Sequence, residues 1–169
     1  MEKESAGLPR ACRIVEQAAR TAGLSINIRL MQASTRTAEE AAAACGTRVG
    51  QIVKSLVFQG KDSGKAVLLL VSGANRVKEN WVAGAIGEKI SRADADFVRN
   101  CTGFAIGGIP PLGHIAPLAI WFDADLLNYK TVFAAAGTPN SIFEVEPHEL
   151  LQACGGTRLS MHDQGSLGH

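Results

Sequence analysis

The first apolar period in the chain is helical. Over 9–22, Ala11, Ile14, Val15, Ala18 and Ala19 recur at helix spacing, with Gly23 placed as a C-cap. The period then changes to alternation over 25–31, where Ile26, Ile28 and Leu30 share one face of a predicted strand. A second helix opens at 34–40, with Thr37 as N-cap and Glu40 completing a capping box, and it stops at Gly46. Runs 51–58 and 65–71 predict two strands joined by turn chemistry at 60–64, a hairpin. The second run is almost wholly apolar, which predicts burial on both faces. Two short helices follow, 78–86 and 91–100, the latter capped by Ser91. Strands are predicted at 118–122, ended by Asp123, and at 131–136 and 141–145. A helix follows at 147–154 with Pro147 near its first position. Hairpin-like returns outnumber βαβ alternation. The expected fold is therefore an α/β chain of α+β type: a mixed, largely antiparallel sheet, curled or barrel-like, flanked by helices. Residues 1–160 are expected to form a single domain and 161–169 a flexible tail.

Composition narrows the function classes. The chain has 169 residues, 46% hydrophobic and 20% charged, and a formal net charge of +1. That balance argues against gripping a long DNA duplex, which needs a larger excess of Lys and Arg, but it allows contact with a short single-stranded end. No apolar run approaches a membrane span, and Met1–Ser5 lacks the apolar core of a signal peptide, so the expected location is cytoplasmic. Cys12, Cys45, Cys101 and Cys154 are dispersed and read as reduced thiols. They do not cluster with the histidines, so no metal and no cofactor is expected.

Candidate chemistry centres on Gly107-Gly108-Ile109-Pro110-Pro111-Leu112-Gly113-His114. Three glycines and two prolines exclude a helix interior, and a loop of that chemistry can present backbone N–H and C=O groups to a ligand. Lys54 stands at the edge of an apolar strand, where its ammonium must reach solvent or an anion. Ser72-Gly73-Ala74-Asn75-Arg76-Val77 is a polar loop where the buried strand leaves the core. Asp94 and Asp96 point to different helix faces and read as solvated, and His114 reads as structural. There is no GxGxxG fingerprint and no GxSxG elbow.

Four blocks in order, Gln51–Val57, Ser72–Val77, Thr102–His114 and Ala134–Thr138, resemble the YbaK/prolyl-tRNA synthetase-associated domain family. These are free-standing relatives of the editing domain inserted in bacterial prolyl-tRNA synthetase. The resemblance implies a curled mixed sheet flanked by helices. It also implies hydrolysis of mischarged aminoacyl-tRNA at the terminal adenosine; with no GxSxG elbow, no triad and no clustered metal ligands in the sequence, that reaction is expected to proceed without a protein nucleophile or metal. By the same resemblance Lys54 holds a phosphate or the ribose of that adenosine, and Gly107, Gly108, Ile109, Pro110 and Pro111 form the GxxxP loop that presents backbone groups to the ester and the attacking water. Gly137 and Thr138 line the amino-acid end of the pocket, with Ser72, Asn75 and Arg76 near it. The implied partner is the acceptor end of an aminoacyl-tRNA, with a synthetase as a further partner left open. Two positions depart from the family. The Gly137–Asn140 loop has no histidine to meet the substrate's amino group, and Pro110 stands where a serine is common. The amino acid removed therefore stays open. Two other classes compete: a module of the same fold that binds a tRNA end or nucleotide without turnover, and a structural partner of a synthetase.

Overall fold

The computed structural model describes residues 7–162. Helix α1 (Arg10–Thr21) carries Cys12, Val15 and Ala19 into the interior. Strand β1 (Ile28–Leu30) is shorter than the alternation predicts: it pairs with a neighbour over three residues only, and Leu30 is exposed. Helix α2 (Ala38–Cys45) begins at the predicted capping box, with the Glu40 N–H donating to Thr37 Oγ1 at 3.0 Å, and ends at Gly46. A 3₁₀ turn (Val49–Gln51) leads into β2 (Val53–Gly60), which returns as β3 (Ala66–Ser72) with Val53 opposite Ser72.

Helix α3 (Glu79–Ile86) is followed by β4 (Ile90–Arg92), a strand that the sequence pattern does not show. Helix α4 (Ala95–Thr102) consequently starts late. Its N-cap is Asp94, not Ser91: Asp94 Oδ1 accepts from the Phe97 N–H at 2.8 Å, so Asp94 has a capping role beyond simple solvation. The chain then runs through the Gly/Pro loop to β5 (Ala119–Asp123) and a 3₁₀ turn (Ala124–Asn128). After it come β6 (Val132–Ala135), β7 (Ser141–Val145), α5 (Pro147–Cys154) and β8 (Thr157–Leu159), the last also unpredicted. Both missed strands are three residues long and lie at sheet edges, too short to show a period.

The strands form two sheets. One is antiparallel in the order β1-β7-β6. The other is mixed, β4-β2-β3-β5-β8, with β2 antiparallel to both neighbours and β3, β5 and β8 running parallel. Among the described residues a parallel bridge, Ile52 to Phe133, joins them. The result is two sheets meeting at one corner, not a closed barrel.

Strand β3 shows why its sequence is so apolar. Leu68 and Leu70 enter the main core with Val15, Phe122 and Phe143, while Val67, Leu69 and Val71 enter a second core beneath α3 with Phe58, Val82 and Met161. Each such leucine contributes roughly 1.5–3 kcal/mol on burial. Because β3 is covered on both faces and hydrogen-bonded on both edges, it is the fixed reference against which β2 and its lysine are placed. Met161 is fully buried and its carbonyl accepts from the Lys78 N–H at 3.1 Å, so the first residues of the expected tail pack on the fold. The remainder of that tail, 163–169, lies outside the described residues. No helix among the described residues is long and apolar enough to cross a membrane.

Candidate functional site

Strand β4 lies against β2 only from Phe58 to Gly60, so among the described residues no strand is paired with that edge of β2 from Val53 to Leu56. A cleft of about 330 Å³ runs along this open edge. Val53 and Ser55 reach it from one face of β2, Lys54 and Leu56 from the other. The opposite walls come from the start of α2, the Gly/Pro loop through Ile106, Gly107 and Ile109, and the β6–β7 region through Phe133, Thr138 and Ser141. Its volume falls at the small end of ligand sites. Its charged lining residues among those described are Arg36 and Lys54, both cationic, and no carboxylate of the described residues lines it.

Lys54 is half-buried, and its Nζ donates to the Asn75 carbonyl. Burial pushes its pKa below the ordinary 10.5; Glu39 and Asp123 pull it back up, while Arg76 and Arg92 add to the fall. The Asn75 side chain is fixed in turn: its Nδ2 donates to Asp123 Oδ2 at 2.9 Å and to Asp125 Oδ2 at 2.8 Å. Asp123 is fully buried and also accepts from the Ser72 N–H at 2.9 Å and the Asp125 N–H at 3.0 Å. Ser72 Oγ donates to the Gly50 carbonyl at 2.7 Å. Ser72 and Asn75 therefore lie behind Lys54 and do not line the cleft. Arg76 is exposed, outside the lining, and near enough to Lys54 to bear on its charge.

The Gly/Pro loop divides into two parts. Gly107 and Ile109 line the cleft, with Gly107 at φ +98°, a conformation that suits glycine. Gly108 is buried against the neighbouring loop: a Cβ there would stand 2.8 Å from Thr138 Cα. Pro110 and Pro111 are buried outside the lining. The Pro110 carbonyl accepts from His114 Nε2 at 2.7 Å, and the imidazole sits edge-on to Phe104. His114 thus holds the loop from behind, and burial pushes its pKa down.

The second loop is self-contained. Thr138 lines the cleft while its Oγ1 lies within hydrogen-bond reach of two acceptors in its own loop, Asn140 Oδ1 at 2.9 Å and Ser141 Oγ at 2.7 Å. Asn140 Nδ2 donates to the Met31 carbonyl at 3.1 Å. Gly137 lies behind, close to the Ala11 backbone of α1. Sequence reasoning did not single out Arg36, Ser55, Phe133 or Asp123. Asp123 carried one signal, a carboxylate directly ending an apolar strand. The others are brought in by contacts between distant segments.

The family model for the aminoacyl-tRNA editing domain matches residues 32–153, and the chain belongs to that family. The uncharacterized protein YwhH of Bacillus subtilis (strain 168) is 31% identical over 119 residues, covering 70% of this chain and 75% of that protein. A solved structure described as a candidate trans-editing enzyme for prolyl tRNA synthetase is 45% identical. It superposes with a TM-score of 0.87 over 93% of this chain and 99% of that one. The structure of hypothetical protein APE2540 is 30% identical, with a TM-score of 0.82 over 89% of this chain and 99% of that chain.

Proposed function

We propose that the protein is a trans-editing aminoacyl-tRNA deacylase that hydrolyses the ester of a small, mischarged amino acid at the terminal adenosine. One observation carries this reading: Lys54 and two residues of the Gly/Pro loop, Gly107 and Ile109, line the same small cleft from different segments. Membership of the editing-domain family and the likeness to a candidate trans-editing enzyme support it.

In this mechanism Lys54 takes a phosphate or the ribose of the adenosine as a compact positive charge. The loop orients the ester carbonyl and an attacking water through backbone groups. Water oxygen bonds to the acyl carbon, the ester C–O bond breaks, and the ribose oxygen leaves with a proton. The products are the free amino acid and a tRNA with its terminal hydroxyl restored. Among the described residues the lining contains hydroxyls but no histidine, cysteine or carboxylate to form and activate a nucleophile, which favours attack by water. Pro110 and Pro111 act by stiffening the loop, and Ser72, Asn75 and Gly137 by holding the walls. Contact is confined to the acceptor end, in keeping with the net charge of +1. A prolyl-tRNA synthetase is the natural partner to test.

The experiment is single-turnover deacylation of a panel of aminoacyl-tRNAs by the wild type and Lys54→Ala. Hydrolysis of one small mischarged ester, lost in the variant, is expected. Lys54-dependent tRNA binding without turnover on any member would instead establish a binding module.

A further inference from the structure

Ser55 Oγ is buried and has no hydrogen-bond partner, the one such side-chain atom among the described residues. Orphaned hydroxyls weaken a folded protein unless a ligand or water completes them. This one belongs to a residue that lines the cleft. It stands between Val53 and Val57, strand neighbours that share its face and lie in the main core with Ile109 of the Gly/Pro loop. The Ser55 side chain is therefore on the face of β2 that packs on the main core.

The cleft's other polar groups narrow what Ser55 can bind. An aminoacyl ester carries an α-amino group, which needs acceptors. Arg36 and Lys54 can only donate, and no carboxylate of the described residues lines the cleft. Thr37 Oγ1 is engaged with Glu40 in the capping box, Ser141 Oγ is held by the N–H, hydroxyl and carbonyl of Thr138, and Thr138 Oγ1 turns its hydrogen into its own loop while keeping its lone pairs. Asn140 lies outside the lining and is tied to Met31 and Thr138. Thr35 lines the cleft as well, and among these hydroxyls Ser55 is the buried one with no hydrogen-bond partner at all. The backbone adds to it: the Val57 carbonyl turns away from β3 to accept from the Ala93 N–H, so by strand alternation the Ser55 N–H and C=O face the same uncovered edge.

We propose that Ser55 is a specificity-determining residue whose hydroxyl accepts a hydrogen bond from the α-amino group of the substrate. This rests on the deacylase reading for its substrate class, but binding alone can test it. The test uses two stable adenosine amides, one carrying a 3′-alanylamino group and one the 3′-propionylamino group that lacks the α-amino nitrogen. Affinities are measured for the wild type and Ser55→Ala, together with single-turnover hydrolysis of alanyl- and propionyl-tRNA. Because the variant deletes an orphaned hydroxyl, its melting temperature is expected to equal or exceed that of the wild type. The wild type is expected to prefer the amino-bearing amide about tenfold, and Ser55→Ala to lose that preference while binding the propionyl compound unchanged. The same selective loss is expected in hydrolysis.

A variant that retains the preference, or weakens both amides equally, overturns the assignment. A Ser55-dependent binding preference in a protein that hydrolyses neither ester leaves Ser55 in place and removes the deacylase reading. Hydrolysis of both esters with no Ser55-dependent preference does the reverse. Failure to bind either amide overturns both.

Discussion

The Nζ of Lys54 donates to the main-chain carbonyl of Asn75, on the loop where the partner strand leaves the core. Asn75 is itself tethered through its side chain to Asp123 and Asp125. The lysine is therefore aimed by a buried carboxylate it does not touch, through a residue whose backbone it does.

If Lys54 positions the substrate, Lys54→Ala is expected to lower single-turnover deacylation by roughly 10²–10³-fold. Lys54→Arg is expected to recover little. A planar guanidinium cannot replace a point charge held against one carbonyl at a half-buried position. Recovery by arginine to near wild-type rates would show that charge alone suffices.

Replacing Asn75 separates positioning from charge. Asn75→Ala keeps the carbonyl that receives Lys54 but releases its anchor and removes a donor from buried Asp123. A stability loss of about 1–3 kcal/mol in urea unfolding is expected. Asn75→Asp sets a third carboxylate against Asp123 and Asp125 and is expected to cost more than alanine. Equal stability of the two variants would count against the carboxylate pair as the anchor.

Gly108 is the point where the Gly/Pro loop meets the Thr138 loop. A Cβ there would sit 2.8–2.9 Å from Thr138 backbone atoms, which cannot swing aside as a side-chain tip would. Gly108→Ala is expected to cost about 1–3 kcal/mol and to widen the cleft, reducing activity more than stability. Thermal melts and single-turnover rates on the same preparations check this.

Stability should also fall on mild acidification because of His114. Burial lowers its pKa from the ordinary 6.5, partly opposed by the hydrogen bond to Pro110. The unfolded chain takes up a proton near pH 6.5, the folded chain only at lower pH. The contribution is whole above 6.5 and is lost as pH falls toward the folded value. His114→Gln is expected to show a smaller loss between about pH 7.5 and 5.5. Glu88 acts lower: the Ser63 N–H and hydroxyl hold its carboxylate below 4.5, so its contribution disappears only in stronger acid. Identical pH slopes for wild type and His114→Gln would remove His114 from this role.

Much of the fold was legible because its signals are local. The α2 capping box, Pro147 at the start of α5 and the β2–β3 hairpin depend on residues a few positions apart, and each forms as the pattern predicts. Strands β4 and β8 were hidden because three-residue edge strands exist only through the strands beside them. Ser91 and Asp94 are both reasonable caps in isolation, and the pairing of Ser91 with Gln59 in β4 decides for Asp94.

The candidate site divides in the same way. The sequence by itself determined that a Gly/Pro loop and an edge lysine were present, since proline, glycine and a charge in an apolar run declare themselves locally. Only the tertiary structure decided that Gly107 and Ile109 face Lys54 across a cleft while Pro110 and Pro111 lie buried behind it. It alone joined Asn75 to Asp123 and left Ser55 without a partner. Hydrogen bonds and uncovered strand edges are properties of pairs of distant segments, and no single segment records which surface its partner will leave open.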